Sequence, residues 1–155
     1  MFMSIQMLQL SHNRNDPFKT KRCAEHEKCF ICSGEKPGGC RDNGVTYRIE
    51  CKGDCDHEYN GQTGQNGFTR GCSHLDDYRL KKDDSPLWKH CVKVHNSECQ
   101  SFQMTVLDRC RGDATKRQIL ESVRIQRVPE QRSMNSKGEW NTARIPRLQI
   151  VSDVR

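Results

Sequence analysis

Cysteine and histidine are the residues of this chain best suited to chemistry. Cys51 and Cys55 are spaced C-x3-C, and His90 and His95 are spaced H-x4-H; each pair is a half-site for zinc. Together they predict one centre of two thiolates and two imidazoles, with Cys91 adjacent and able to replace a histidine. Such a centre requires its four ligand atoms within roughly 4–5 Å of one another. Cys23, Cys29, Cys32 and Cys40 predict a second, all-cysteine centre, with His26 as a substitute ligand. Cys29-x2-Cys32 is its best-spaced pair, and the wider gaps are less diagnostic. The competing reading of the ten cysteines is scattered buried thiols or, in a secreted chain, disulfides. Residues 1–10 argue against secretion, because they lack a basic start and a small-residue cleavage site. An intracellular chain keeps its thiols reduced, and reduced thiols beside histidines read as metal ligands. Cys72, Cys99 and Cys110 are expected to pack as small apolar residues.

Something must position those groups, and there is little apolar material to do it. Hydrophobic residues make up 33% of the chain and charged ones 30%, so a small fold gains from a bound metal as a staple. The formal net charge of +6 suits an anionic partner, and equally a well-solvated surface. No stretch approaches the roughly 18 apolar residues of a membrane span.

Residues 45–51 alternate apolar and polar, the period of a strand, and 57–63 can return beside them as a hairpin. Gly64-Gln65-Asn66-Gly67 is expected to break the second strand. Residues 68–80 read as a helix with Phe68, Cys72, Leu75 and Leu80 on its apolar side. Ser85 is an N-cap and Pro86 a first helical residue for a helix running to about His95. Residues 102–107 form a third strand. Asp113 caps a helix from Ala114 to about Val128, which Pro129 stops. The predicted fold is α+β, a small three-stranded antiparallel sheet flanked by helices. Residues 1–22 are expected to be a disordered lead-in. Residues 23–43 are a cysteine-rich zinc-binding appendage with too few apolar side chains to bury a core. Residues 44–141 form the main domain, and 142–155 a tail with a short apolar run at 148–151.

On this scaffold lies an ordered series. Val45-Thr46-Tyr47 is followed, after eleven residues, by Tyr59-Asn60-Gly61-Gln62-Thr63, then Arg70 and His74, then Glu121-Ser122, then Asn135. The series resembles the GIY-YIG nuclease family and covers about residues 44–141. Cys51 and Cys55 between the two tyrosine motifs, with histidines downstream, resemble the nuclease domains of Penelope-like retroelements. Asn66-Gly67-Phe68-Thr69-Arg70-Gly71, Leu87-Trp88-Lys89-His90 and Asn135-Ser136-Lys137-Gly138-Glu139-Trp140-Asn141 look like the same subgroup.

The resemblance implies a metal-dependent DNA endonuclease that nicks by hydrolysis. In it Tyr47 helps deprotonate the attacking water and Tyr59 supports it by hydrogen bonding. A phenol with an ordinary pKa near 10 needs a nearby cation for that task. Arg70 and His74, four apart on one helix face, would grip the phosphate and relay a proton. Glu121 would hold Mg²⁺ or Mn²⁺, since one carboxylate with waters and phosphate oxygens suffices for such an ion. Asn135 would orient the site. Tyr47, Tyr59, Arg70 and Glu121 are expected to line one open concave surface. The implied partners are DNA and a reverse transcriptase of the same element, and the implied location is intracellular and nuclear. The pattern sets no oligomeric state.

Two residues depart from the family pattern. Asn60 stands where an apolar residue, usually isoleucine, is expected, and would weaken the fold if its side chain met the core unpaired. Ser73 precedes His74 where relatives often carry glutamate. A second class of function therefore stands beside the first: a catalytically decayed, zinc-containing module that binds nucleic acid. It would not need the six-residue constellation. As ordinary surface features, Tyr47 and Tyr59 are strand aromatics, and Glu121 is a helix carboxylate at ion-pair spacing from Arg117 and Arg124.

Overall fold

The structure, a computed structural model, describes Cys23 and residues 29–136. The lead-in at 1–22, His26, residues 137–141 of the last quoted motif and the tail at 142–155 lie outside the described residues. The elements are β1 (Asn43–Cys51), β2 (Glu58–Asn66), α1 (Gly67–Arg79), α2 (Pro86–Val94), β3 (Phe102–Arg109) and α3 (Ala114–Arg127), followed by one 3-10 turn, Glu130–Arg132. The three strands form one antiparallel sheet in the order β2-β1-β3. The expected fold is what the chain adopts. Among the described residues no helix is long and apolar enough to cross a membrane.

β1 is central because its sequence can be buried. Val45, Tyr47, Ile49 and Cys51 all lie inside, and with Ile31, Leu87 and Met104 they form the core. Tyr47 pairs with Gly61 on one side and Val106 on the other, while Ile49 pairs with Tyr59 and Met104. β2 does not break at Gly64. It continues to Asn66, whose side chain then caps α1 by accepting from the Thr69 N–H at 2.8 Å. Ser85 and Asp113 cap α2 and α3 as expected.

The apolar side expected for α1 is not its buried side. Leu80 is 69% exposed, and the buried residues are Gly67, Gly71 and His74. Glycine suits both positions because the cysteine-rich segment passes close. A Cβ on Gly67 would stand 3.0 Å from Ile31 Cδ1, and one on Gly71 would meet Met104 Sδ at 3.3 Å and Phe30 at 3.4 Å. That segment does contribute to the core, against expectation, because Ile31 and its cysteines are buried with the strands.

α3 packs on the other face of β1 and β2 and does so through polar groups. Arg117, itself buried, donates to Gln62 Oε1 at 3.2 Å and to the Cys110 carbonyl at 3.1 Å. Arg124 donates to Thr46 Oγ1 at 2.8 Å and pairs with Asp108. Asn60 faces this side at 2% exposure and is not left unpaired, since its Nδ2 donates to Glu58 Oε1 at 3.1 Å. The cost expected from an unpartnered amide is therefore not incurred.

The outer edge of β2 is closed by the chain beyond the 3-10 turn. Met134 N donates to the Glu58 carbonyl at 2.9 Å. The Asn135 side chain then acts as a strand partner: Oδ1 accepts from Asn60 N at 2.9 Å, and Nδ2 donates to Asn60 O at 2.8 Å. Asn135→Ala will strand both backbone groups and should cost about 1–3 kcal/mol in urea unfolding. Asn135→Asp keeps the acceptor and should lose less; equal midpoints for Asn135→Ala and the parent would show that the clamp carries no stability.

Candidate metal centres and candidate active site

Cys51 ends β1, Cys55 lies in the loop after it, His90 is within α2 and His95 follows that helix as its C-cap. The two histidines are five positions apart, which does not put them on one helical face. Leaving the helix at His95, with φ −117° and ψ 24°, is what brings its Nε2 to 3.2 Å from that of His90. Cys55 Sγ stands 3.4 Å from His90 Nε2 and 3.3 Å from His95 Nε2, and Cys51 Sγ stands 3.6 Å from His95 Nε2. A tetrahedral ion with ordinary Zn–S and Zn–N bonds spaces S and N by about 3.6 Å and N and N by about 3.3 Å. The four groups converge at those separations, all within 4.8 Å, so this centre could hold a metal ion such as zinc.

The surroundings suit that chemistry. Burial, opposed in part by the Gly53 N–H and reinforced by Cys55, leaves the Cys51 thiol pushed up to about 11. A cation between them relieves that cost. Gly53 N donates to Cys51 Sγ at 3.4 Å, and the Cys55 N–H closes the turn on the Gly53 carbonyl at 2.8 Å. Burial, then His57 and His95, push His90 down to about 4, so it offers a free lone pair, the form that binds metal. The His57 ring lies 4.7 Å from that of His90. Cys91 is not among the converging four; its Sγ is buried 3.7 Å from the Tyr78 hydroxyl.

Cys23, Cys29, Cys32 and Cys40 form the second group, all buried, with every sulfur within 4.8 Å of the others. The Cys29 sulfur accepts the backbone N–H groups of Cys32 and Ile31, and Ser33 N closes the turn on the Cys29 carbonyl at 3.0 Å. Burial raises the Cys29 thiol above its ordinary value, and the two N–H donors aimed at the sulfur pull only partly back toward the thiolate. Of the three cysteines expected to pack as apolar residues, Cys110 is buried, Cys72 is half-buried and Cys99 is exposed.

A third cluster joins β1, β2 and α1. Tyr47 and Tyr59 lie on the same face of the hairpin, with ring centroids 6.5 Å apart. The Tyr47 ring lies over Gly61, where a Cβ would stand 2.6 Å from its hydroxyl oxygen. That oxygen accepts from Arg70 Nε at 3.0 Å and lies 2.9 Å from His74 Nε2. The His74 ring meets both tyrosines edge-on. Burial, then the charge of Arg70, pushes His74 down to about 4, so it is neutral at pH 7. Arg70 can only donate, so the Tyr47 oxygen accepts from it; with a neutral His74 the phenol donates to Nε2 when the imidazole proton is on Nδ1, and accepts from Nε2 in the other tautomer. Burial disfavours the Arg70 charge, and the oxygens of Tyr47 and Tyr59 more than offset this, raising its pKa.

These four side chains come together, yet not on an open surface. Tyr47 is 1% exposed, His74 3% and Tyr59 8%, and only Arg70 is half-exposed. Glu121 stands half-buried on α3, one turn from Arg117 and from Arg124, on the helix that covers the opposite face of β1 and β2. Both arginines reach the strands. Asn135 acts on the backbone of Asn60, beside Tyr59. The Gly53 N–H and the His57 ring escaped the sequence reading, although the glycine inside Cys51-x-Gly53-x-Cys55 is a usable signal for an N–H turned toward sulfur. No family model, curated protein or solved structure matches the chain.

The state of His74 has a pH signature. Its ordinary pKa of 6.5 falls to about 4 on folding, so between those values the unfolded chain takes up a proton that the folded chain refuses. Stability present above pH 6.5 should therefore drain away as pH falls toward 4. His74→Gln should flatten this part of the urea-midpoint profile relative to the parent; an unchanged slope would show that His74 does not titrate as its burial requires.

Proposed function

We propose that the chain is a metal-dependent DNA endonuclease of the GIY-YIG type, of the Penelope-like kind, whose Cys51, Cys55, His90 and His95 hold a structural zinc ion. The observation that carries the reading is the buried chain Arg70–Tyr47–His74. A packed core has no need to aim an arginine and a neutral histidine at one phenol oxygen. A water-activating site does. Tyr47 accepts a proton from the attacking water as its own passes to His74, and Arg70 steadies the oxygen in between. Arg70, half-exposed, is the member that meets the phosphate. The resemblance assigns the ion to Glu121, whose single carboxylate is a sufficient protein contribution for Mg²⁺ or Mn²⁺; α3 carries it on the opposite face of β1 and β2 from Tyr47, so this role rests on the resemblance and not on the geometry. When bound, that ion would polarise the phosphate and stabilise the leaving oxygen. The basic net charge suits DNA. A reverse transcriptase of the same element and a nuclear site of action complete this reading.

The second reading, a decayed nucleic-acid-binding module, is favoured by one observation: the phenol that must touch water is 1% exposed. One experiment separates the two. Supercoiled plasmid is incubated with zinc-loaded protein and Mg²⁺ or Mn²⁺, and nicked circles are counted. The nuclease reading expects nicking that falls at least about 100-fold in Tyr47→Phe, Arg70→Ala and Glu121→Ala. DNA binding should survive better than cleavage, since the other cations remain. Binding without nicking by the parent protein establishes the decayed module, and full activity in Glu121→Ala overturns the mechanism.

A further inference from the structure

We infer that Cys23, Cys29, Cys32 and Cys40 bind one mononuclear metal ion as four thiolates, and that this ion clasps the first turns of α1, and so Arg70 and His74, against Tyr47. The inference is independent of the nuclease reading.

The chemistry of sulfur favours an ion at this site. Four reduced thiols are buried together with no disulfide among them. Thiols are weak donors and weak acceptors, so hydrogen bonds among them repay little of the order that gathering them requires. Replacing their protons with a divalent cation does repay it. A tetrahedral all-thiolate site with Zn–S of about 2.3 Å places sulfurs about 3.8 Å apart, inside the observed limit of 4.8 Å. Soft ligands in this arrangement select zinc or iron.

The cysteine-rich segment touches α1 on one side and β3 on the other. The Cys40 carbonyl accepts from Phe68 N at 2.7 Å, and the Asp42 carbonyl accepts from Gly67 N at 3.2 Å. These are two of the N–H groups that a helix start leaves without internal partners. Ile31 and Phe30 press on Gly67 and Gly71 of α1. On the other side the Phe30 carbonyl accepts from Met104 N at 3.4 Å and from Gln103 Nε2 at 3.0 Å. Residues 29–40 are thus a wedge between α1 and β3. Beyond its cysteines the wedge offers two large apolar side chains, Phe30 and Ile31. So little apolar surface does not hold a loop in place unaided. With the ion gone, the wedge loosens, the helix start loses two acceptors, and Arg70 in the first turn loses its aim at Tyr47. The other metal centre ties the loop after β1 to the end of α2, so its loss acts elsewhere.

The test uses the full chain loaded with zinc. Metal analysis should give about two equivalents in the parent and about one in Cys32→Ser/Cys40→Ser and in Cys55→Ser. Hydrogen exchange at 67–73 should speed up at least about tenfold in the first variant while 89–94 stays protected. Cys55→Ser should show the reverse. For a double variant that does not fold, alkylation of the parent protein decides: Cys23, Cys29, Cys32 and Cys40 should resist iodoacetamide until a chelator is added, while exposed Cys99 reacts throughout. One equivalent in the parent, with the four cysteines labelled as fast as Cys99, overturns the site. Loss of one equivalent with no change at 67–73 overturns the clasp. Neither readout involves DNA, so a failure of the nuclease assay leaves this result legible.

Discussion

The arrangement of β1, β2 and α1 depends on a missing side chain. Tyr47 can lie across β2 only because Gly61 is opposite it, and only from there does its hydroxyl reach both Arg70 and His74. Any larger residue would push the phenol off the strand and open the contact with α1. The same contact explains why α1 buries a histidine and two glycines in place of a leucine stripe. The helix is seated close to the sheet by a polar cluster, and bulk on that face would hold it away.

Because so little apolar surface is available, sulfur and imidazole do work that aliphatic side chains do elsewhere. Four buried cysteines belong to the core cluster itself, and the Cys51, Cys55, His90, His95 group joins the end of the sheet to α2. α3 carries this furthest, docking through Arg117 and Arg124 onto Gln62, Thr46 and Asp108. Such an interface adds modest net stability per bond, yet it tolerates no rotation, since turning the helix would bury guanidinium groups without partners.

Much of the fold was legible in the sequence, where the cause is local. The caps Ser85 and Asp113, the alternation of β1 and the cysteine–histidine spacings each report a short-range rule, and each held. What was not legible is what depends on distant neighbours. β2 runs through Gly64 to Asn66 because β1 extends far enough to pair with it. Leu80 lies outside because Ile31 and Phe30, some fifty residues earlier, occupy the other side of α1. Asn60 sits comfortably inside because Glu58 is two residues away on the same face. Burial of Tyr47 follows from the closeness of α1, which no spacing in the hairpin encodes. The resemblance to a nuclease family lists Tyr47, Tyr59, Arg70 and His74 in order, and the fold gathers them; the openness expected of such a site is not what the packing provides.

The Asn135 amide clamped on Asn60, and the Phe30 carbonyl bonded to Met104 N, have a bearing on crowding. A three-stranded sheet has two outer rows of backbone donors and acceptors, and each is a template on which a neighbouring molecule can lay a strand. Here both rows are partly occupied from within the same polypeptide, one by a side chain imitating a backbone and one by the cysteine-rich segment. Two neighbouring copies meeting side by side find those positions already taken. For a protein with a core this small, whose strands would be exposed whenever it breathes, such occupancy is a defence against fibre-like association.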